Sequence, residues 1–121
     1  MGMSIESFAD GLLTVKVSGQ LTAAQWQAGQ AAAVARMSEW PGKVSVLVAA
    51  EEFRGWDQDT WDESPYQAQF NARVDRLAIV GQPKWEALTL MFVGKGLRRM
   101  EIEYFTTADV GSAREWLKSK A

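Results

Sequence analysis

The sequence predicts an α/β domain: a mixed, largely parallel β-sheet of four to five strands packed by α-helices, in the order ββαβαβαβα. Three observations predict it. Residues 44–50 and 77–80 are short apolar runs rich in valine and isoleucine, as expected of strands buried on both faces of a parallel sheet. The segments around them carry apolar residues every three or four positions, the period of an amphipathic helix. Finally, the chain opens with two β-prone stretches on either side of Asp10-Gly11, a hairpin signature. No repeat, low-complexity tract or linker divides the 121 residues, so residues 1–121 read as one domain.

Each element follows from its residues. Asp10-Gly11 suits a type I′ turn between residues 4–9 and 12–17. Leu13, Val15 and Val17 alternate with Thr14, Lys16 and Ser18, which buries one face of the second strand. Thr22 caps the first helix, and Gln25 three residues on completes a capping box. Trp26, Gly29, Ala33, Met37 and Trp40 mark its buried stripe, and Pro41-Gly42 ends it after about residue 38. Residues 51–63 read as a loop with six carboxylates against one arginine. Ser64-Pro65-Tyr66-Gln67 opens a second helix, with Ser64 as cap and Gln67 closing the box, and Tyr66, Phe70 and Val74 form its stripe. Gly81 ends the next strand, and a third helix runs from Pro83 to Gly94. Residues 100–105 form the last strand and 106–120 a terminal helix, with Asp109 early and Lys118 and Lys120 late to complement its dipole.

Composition narrows the function. The apolar fraction of 47% and charged fraction of 23% are ordinary for a globular chain. A net charge of -2 argues against a nucleic-acid binder, which carries a basic face. There is no cysteine, hence no disulfide or thiolate metal site, and no histidine, the commonest general base and zinc ligand. Residues 1–10 lack the basic and apolar blocks of a signal peptide, and no apolar run approaches the roughly 20 residues that span a bilayer, so a cytoplasmic location is expected. Six tryptophans stand out: Trp26 and Trp116 read as core, whereas Trp56, Trp61 and Trp85 fall where a ligand would be met.

Four stretches together resemble a known family. They are Gly19-Gln20-Leu21-Thr22; Val46-Leu47-Val48 through Phe53-Arg54-Gly55-Trp56; Leu77-Ala78-Ile79-Val80-Gly81 followed by Lys84-Trp85-Glu86; and Glu103-Tyr104-Phe105 followed by Ala113-Arg114-Glu115-Trp116-Leu117. Their order and spacing are similar to the SpoIIAA-like family, relatives of the anti-sigma-factor antagonists, whose fold is the STAS domain. The resemblance implies a STAS-like sheet of four or five strands surrounded by helices, no catalytic motif, and a binding role in which small-molecule or lipid binding and membrane contact are suggested. In true antagonists the loop after the central strand carries a serine that a kinase phosphorylates. The corresponding segment here, Glu51-Glu52-Phe53-Arg54-Gly55-Trp56-Asp57, contains neither serine nor threonine, so that switch is not expected.

Ligands of open α/β sheets collect beyond the carboxyl ends of parallel strands, here Ala50 and Gly81. The following segments carry Phe53, Arg54, Gly55, Trp56 and Trp61 on one side and Lys84 and Trp85 on the other. Aromatic walls with one or two cations suit an amphiphilic anion such as a fatty acid. The alternative is that Trp56 and Trp85 cap the sheet and seal the core. The third helix, with Trp85, Leu88, Leu90, Met91, Phe92 and Val93, has almost no polar face, and Lys95, Arg98 and Arg99 follow it. Such a helix closes as a lid or meets a partner, is fully buried, or lies on a membrane, in that order of preference.

Asp57-Gln58-Asp59-Thr60-Trp61-Asp62 begins like a calcium loop, but Trp61 takes a ligand position and the required glycine is missing, so no metal and no cofactor is expected. Glu51 and Glu52 are adjacent and would point to opposite sides of a strand, and no hydroxyl has a recognisable base partner, so no enzyme is expected. The expectation is a binding module for a small amphiphilic ligand. The alternative is a protein-interaction domain, homodimer included, with membrane contact at most peripheral.

Overall fold

The five strands lie in the sheet in the order in which the chain makes them, β1-β2-β3-β4-β5. A computed structural model describes residues 2–57, 66–93 and 101–119 of the chain. Its elements are β1 (Gly2–Ala9), β2 (Leu12–Leu21), α1 (Ala23–Met37), β3 (Val44–Trp56), α2 (Gln67–Arg73), β4 (Val74–Gly81), α3 (Glu86–Val93), β5 (Glu101–Thr106) and α4 (Val110–Lys118), with single 3-10 turns at Pro83–Trp85 and Thr107–Asp109. β1 and β2 are antiparallel, and every later pairing is parallel. This is the mixed, largely parallel sheet that the sequence predicts.

Local chemistry accounts for the elements. Asp10 and Gly11 both take positive φ, 53° and 76°, as a type I′ turn requires. The capping box forms as expected: Gln25 N–H donates to Thr22 Oγ1 at 3.1 Å, and Thr22 N–H donates to Gln25 Oε1 at 3.0 Å. α1 buries Gly29, Ala33 and Met37, with Trp26 and Trp40 half-buried against the same core. Gln30 is also fully buried, which the apolar stripe did not anticipate.

Among the boundaries that differ from the sequence reading is that of β2, which runs to Leu21 rather than ending near Val17. Val74, expected on the second helix, is instead the first residue of β4: it takes extended backbone and pairs with Val44. Residues 51–56, expected as loop, are strand. β3 runs on to Trp56 by pairing with β2 alone (Ser18 with Glu52, Gly19 with Phe53, Leu21 with Trp56), while β4 stops at Gly81 opposite Ala50. A long β2 supplies the missing partner, so the tail needs no second neighbour to satisfy one of its edges. The expected cap at Ser64-Pro65 lies outside the described residues.

A parallel sheet that grows in one direction by right-handed crossovers places its crossover helices on one face. The packing agrees: Ala33 and Met37 of α1, Phe70 of α2, and Trp85 and Leu90 at α3 share one core with Val15, Val46, Leu77 and Ile79. Among the described helices the opposite face carries only α4, whose Ala113 and Leu117 pack on Leu47, Ala78 and Val80. Strand alternation divides these sets, since Leu77 and Ile79 face one core and Ala78 and Val80 the other.

Cations tie the helix ends down. Arg73 Nη2 donates to the carbonyls of Met37 and Trp40 at the end of α1, and Lys43 Nζ donates to the Ala72 carbonyl at the end of α2. Arg76 on β4 pairs with Glu101 at 2.8 Å, donates to the Trp116 carbonyl and Ser119 Oγ, and stands 5.0 Å from the Trp116 ring centroid. These contacts hold α4 on the sheet where its apolar contact is small.

Leu117→Ala should therefore cost about 2–5 kcal/mol in urea denaturation, because α4 has few other large residues to close the cavity. A loss below about 1 kcal/mol would mean that α4 contributes little to that face.

Candidate functional site

The tail of β3 and the turn into α3 meet in an aromatic cluster. Phe53 is buried and Trp56 and Trp85 half-buried, each ring edge-on to the others: centroids are 4.9 Å apart for Phe53 and Trp56, 5.4 Å for Phe53 and Trp85, and 6.0 Å for Trp56 and Trp85. Gly55 makes this approach possible. It has φ +100°, and a Cβ there would stand 3.0 Å from Cη2 of Trp85. The Trp85 ring thus packs over Gly55 on the face of the β3 tail that carries Phe53. Lys84 is exposed, with Nζ 5.3 Å from the Trp85 centroid, a cation–π distance. Arg54 is exposed.

The structure brings together Phe53, Gly55, Trp56, Lys84 and Trp85 of the sequence-predicted set. Trp61, Lys95, Arg98 and Arg99 lie outside the described residues, as do residues 58–62 of the acidic segment, and the side chain of Phe92 is not among those described. On α3, Leu88 is 51% and Met91 77% exposed, whereas Leu90 packs against the core. Full burial of this helix is thereby excluded. Among the described residues no group of carboxylates is arranged to hold a metal ion, and no helix is long and apolar enough to cross a membrane.

A polar relay that the sequence reading missed secures the same end of the sheet. Tyr104 on β5 donates its hydroxyl to the Gln82 carbonyl at 2.7 Å, and Gln82 Nε2 donates to the Glu51 carbonyl at 3.2 Å. The three strand ends β3, β4 and β5 are linked this way just where α3 begins. Burial raises the Tyr104 pKa, and the nearby Glu86 carboxylate raises it further, so the phenol remains a donor through the neutral range. Only the strand register, with Ile79 beside Tyr104, brings this side chain to Gln82, and no local motif announces it.

A separate cleft of about 100 Å³ lies between β1 and α1, lined by Met3, Ile5, Val15, Ala28 and Gly29 among others, and shares no residue with the aromatic cluster.

A mixed five-stranded sheet with its crossover helices on one face and a terminal helix on the other defines an α/β domain of SpoIIAA-like fold. The model of the SpoIIAA-like family matches residues 12–118, and the chain belongs to that family. Membership suggests a regulatory or protein-interaction domain, and the family is generally non-enzymatic. Among solved structures, the chain is similar to an uncharacterised protein of the DUF3478 family with a SpoIIAA-like fold from Shewanella loihica, at 21% identity and a TM-score of 0.67 over 96% of this chain and 94% of that one. Compared with curated proteins, the chain matches none.

Tyr104→Phe should lower stability by about 1 kcal/mol through loss of the hydroxyl bond. A raised pKa in the folded state means that stability is complete below the ordinary value of 10.0 and falls as pH rises through the raised one. Urea titrations at pH 8 and pH 11 should show that alkaline loss in the wild type and a smaller one in Tyr104→Phe; equal losses would remove Tyr104 from the explanation.

Proposed function

We propose that the protein is a non-enzymatic binding module that takes a small amphiphilic, lipid-like anion between the tail of β3 and α3, with α3 as its cover. The observation that carries this reading is the exposure of Leu88 and Met91 on a helix whose preceding 3-10 turn is anchored in the aromatic cluster by Trp85. Large apolar side chains left in water gain about 1.5–3 kcal/mol each when an apolar chain covers them. Positive charge for an anionic end stands at Lys84, against the Trp85 ring, and the sequence adds Arg54 on the β3 tail and Lys95, Arg98 and Arg99 after the helix. The tail of β3 has no histidine, serine or threonine in residues 51–57, which supports binding without chemistry.

A protein partner, or a second copy of this chain, is the second reading. It is favoured by the way the three rings pack on one another, which directs the remaining apolar surface outward along α3.

Native mass spectrometry of the purified protein should show a discrete added mass that leaves on activation, and Met91→Asp should lower its occupancy about tenfold. An added mass retained unchanged in both Trp56→Ala and Trp85→Ala would refute this site. The second reading instead expects sedimentation that shifts with dilution and loses that shift in Leu88→Asp.

A further inference from the structure

We infer that the polar end recognised at this site is a carboxylate, held by the indole N–H of Trp85 and the ammonium of Lys84. The inference rests on the binding site proposed above and names what its head group must be. Nε1 of Trp85 is shielded from solvent and donates to no acceptor among the described residues. A buried donor left unmade costs about 1–3 kcal/mol, and folded proteins retain few of them.

The ring has little freedom to turn its N–H outward, because Cη2 lies against Gly55 and the faces and edges meet Phe53 and Trp56. Tyr104, another polar side chain at this end of the sheet, already donates to the Gln82 carbonyl. The indole N–H is therefore a fixed donor with no acceptor among the described residues, and under the proposed reading one oxygen of the ligand meets it.

Lys84 supplies the second half. Its Nζ stands 5.3 Å from the centroid of that same ring, on an exposed and flexible side chain. One fixed neutral donor and one adjustable cation match two oxygens sharing one negative charge: one oxygen accepts from the indole and the other meets the ammonium. A phosphate, with more oxygens and more charge, is ordinarily met by paired arginines or a row of backbone N–H groups. An alcohol accepts from the indole but gives the ammonium no counter-charge. The apolar chain behind the carboxylate then runs toward Leu88 and Met91.

Decanoate and 1-decanol, both below micelle-forming concentrations, share a chain and differ in head group. By titration calorimetry the wild type should bind decanoate about tenfold more tightly than 1-decanol. Decanoate should also move the Trp85 indole N–H resonance downfield. Lys84→Gln and Trp85→Phe should each abolish the preference while 1-decanol still binds, and the resonance and Lys84→Gln decide the matter even where Trp85→Phe does not fold. Equal affinity for the two compounds, or a preference that survives Lys84→Gln with the Trp85 resonance unmoved, overturns the carboxylate assignment and leaves the amphiphile site standing. Binding of neither compound overturns both.

Discussion

Strand order equal to chain order is the constraint on which the rest of this molecule depends. Because each crossover advances in the same direction, α1, α2 and α3 fall on one face and, among the described helices, α4 is left for the other. Doubly wound sheets reverse direction once and open a crevice at the reversal, where their ligands sit. Among the described strands there is no such reversal to open a crevice. Under the proposed reading a ligand at the carboxyl end of the sheet is met by elements beyond it, the β3 tail and α3 among them.

Unequal strand lengths then decide what lies at that end. β4 stops at Gly81 while β3 continues along β2 to Trp56, and the chain turns at Pro83 to lay Trp85 against Phe53 and Gly55 of that tail. A side chain at Gly55 would meet Trp85, and one at Gly81 would come within 2.6 Å of the Tyr104 hydroxyl. The second is closer than a Cβ tolerates and the first is tight enough that the indole would have to give, so the two glycines keep this end of the sheet closely packed. The relay from Tyr104 through Gln82 to Glu51 adds hydrogen bonds to the same junction. Past Trp85 the helix is held through Leu90, while Leu88 and Met91 face water. Strong anchoring of one end and an unspent apolar surface beyond it are the physical basis for treating α3 as a cover or contact element.

Much of this was legible in the sequence, for a definite reason. Hairpin, capping box and buried strands are local signals, and Asp10-Gly11, Thr22 with Gln25, and the valine run of residues 44–50 each determine their own conformation. What was not legible depends on register between distant strands. Residues 51–56 look like a loop because their charges suit solvent, yet they are strand because β2 is long enough to pair with them. Val74 fits a helical stripe and a strand start equally well, and pairing with Val44 decides it. Sequence placed Trp56 and Trp85 at adjacent strand ends but left open whether they face a ligand or one another. Their edge-to-face packing with Phe53 is a property of the β3 tail, which the loop reading concealed.

The same tail bears on how such a domain would be regulated. In the antagonists that this family resembles, a serine in the corresponding segment is switched by phosphate. Here residues 51–57 hold no hydroxyl side chain, and residues 51–56 are hydrogen-bonded into the sheet with Phe53 in the core. A segment that is both without an acceptor for phosphate and tied to a neighbouring strand lacks the chemistry and the freedom for that switch. Under the proposed reading, control passes to the adjoining element. α3 exposes more apolar surface than its fold requires, so its covering by a ligand or a partner changes the stability of one state over another by mass action. Occupancy of α3 would then do in this chain what covalent modification does in the antagonists.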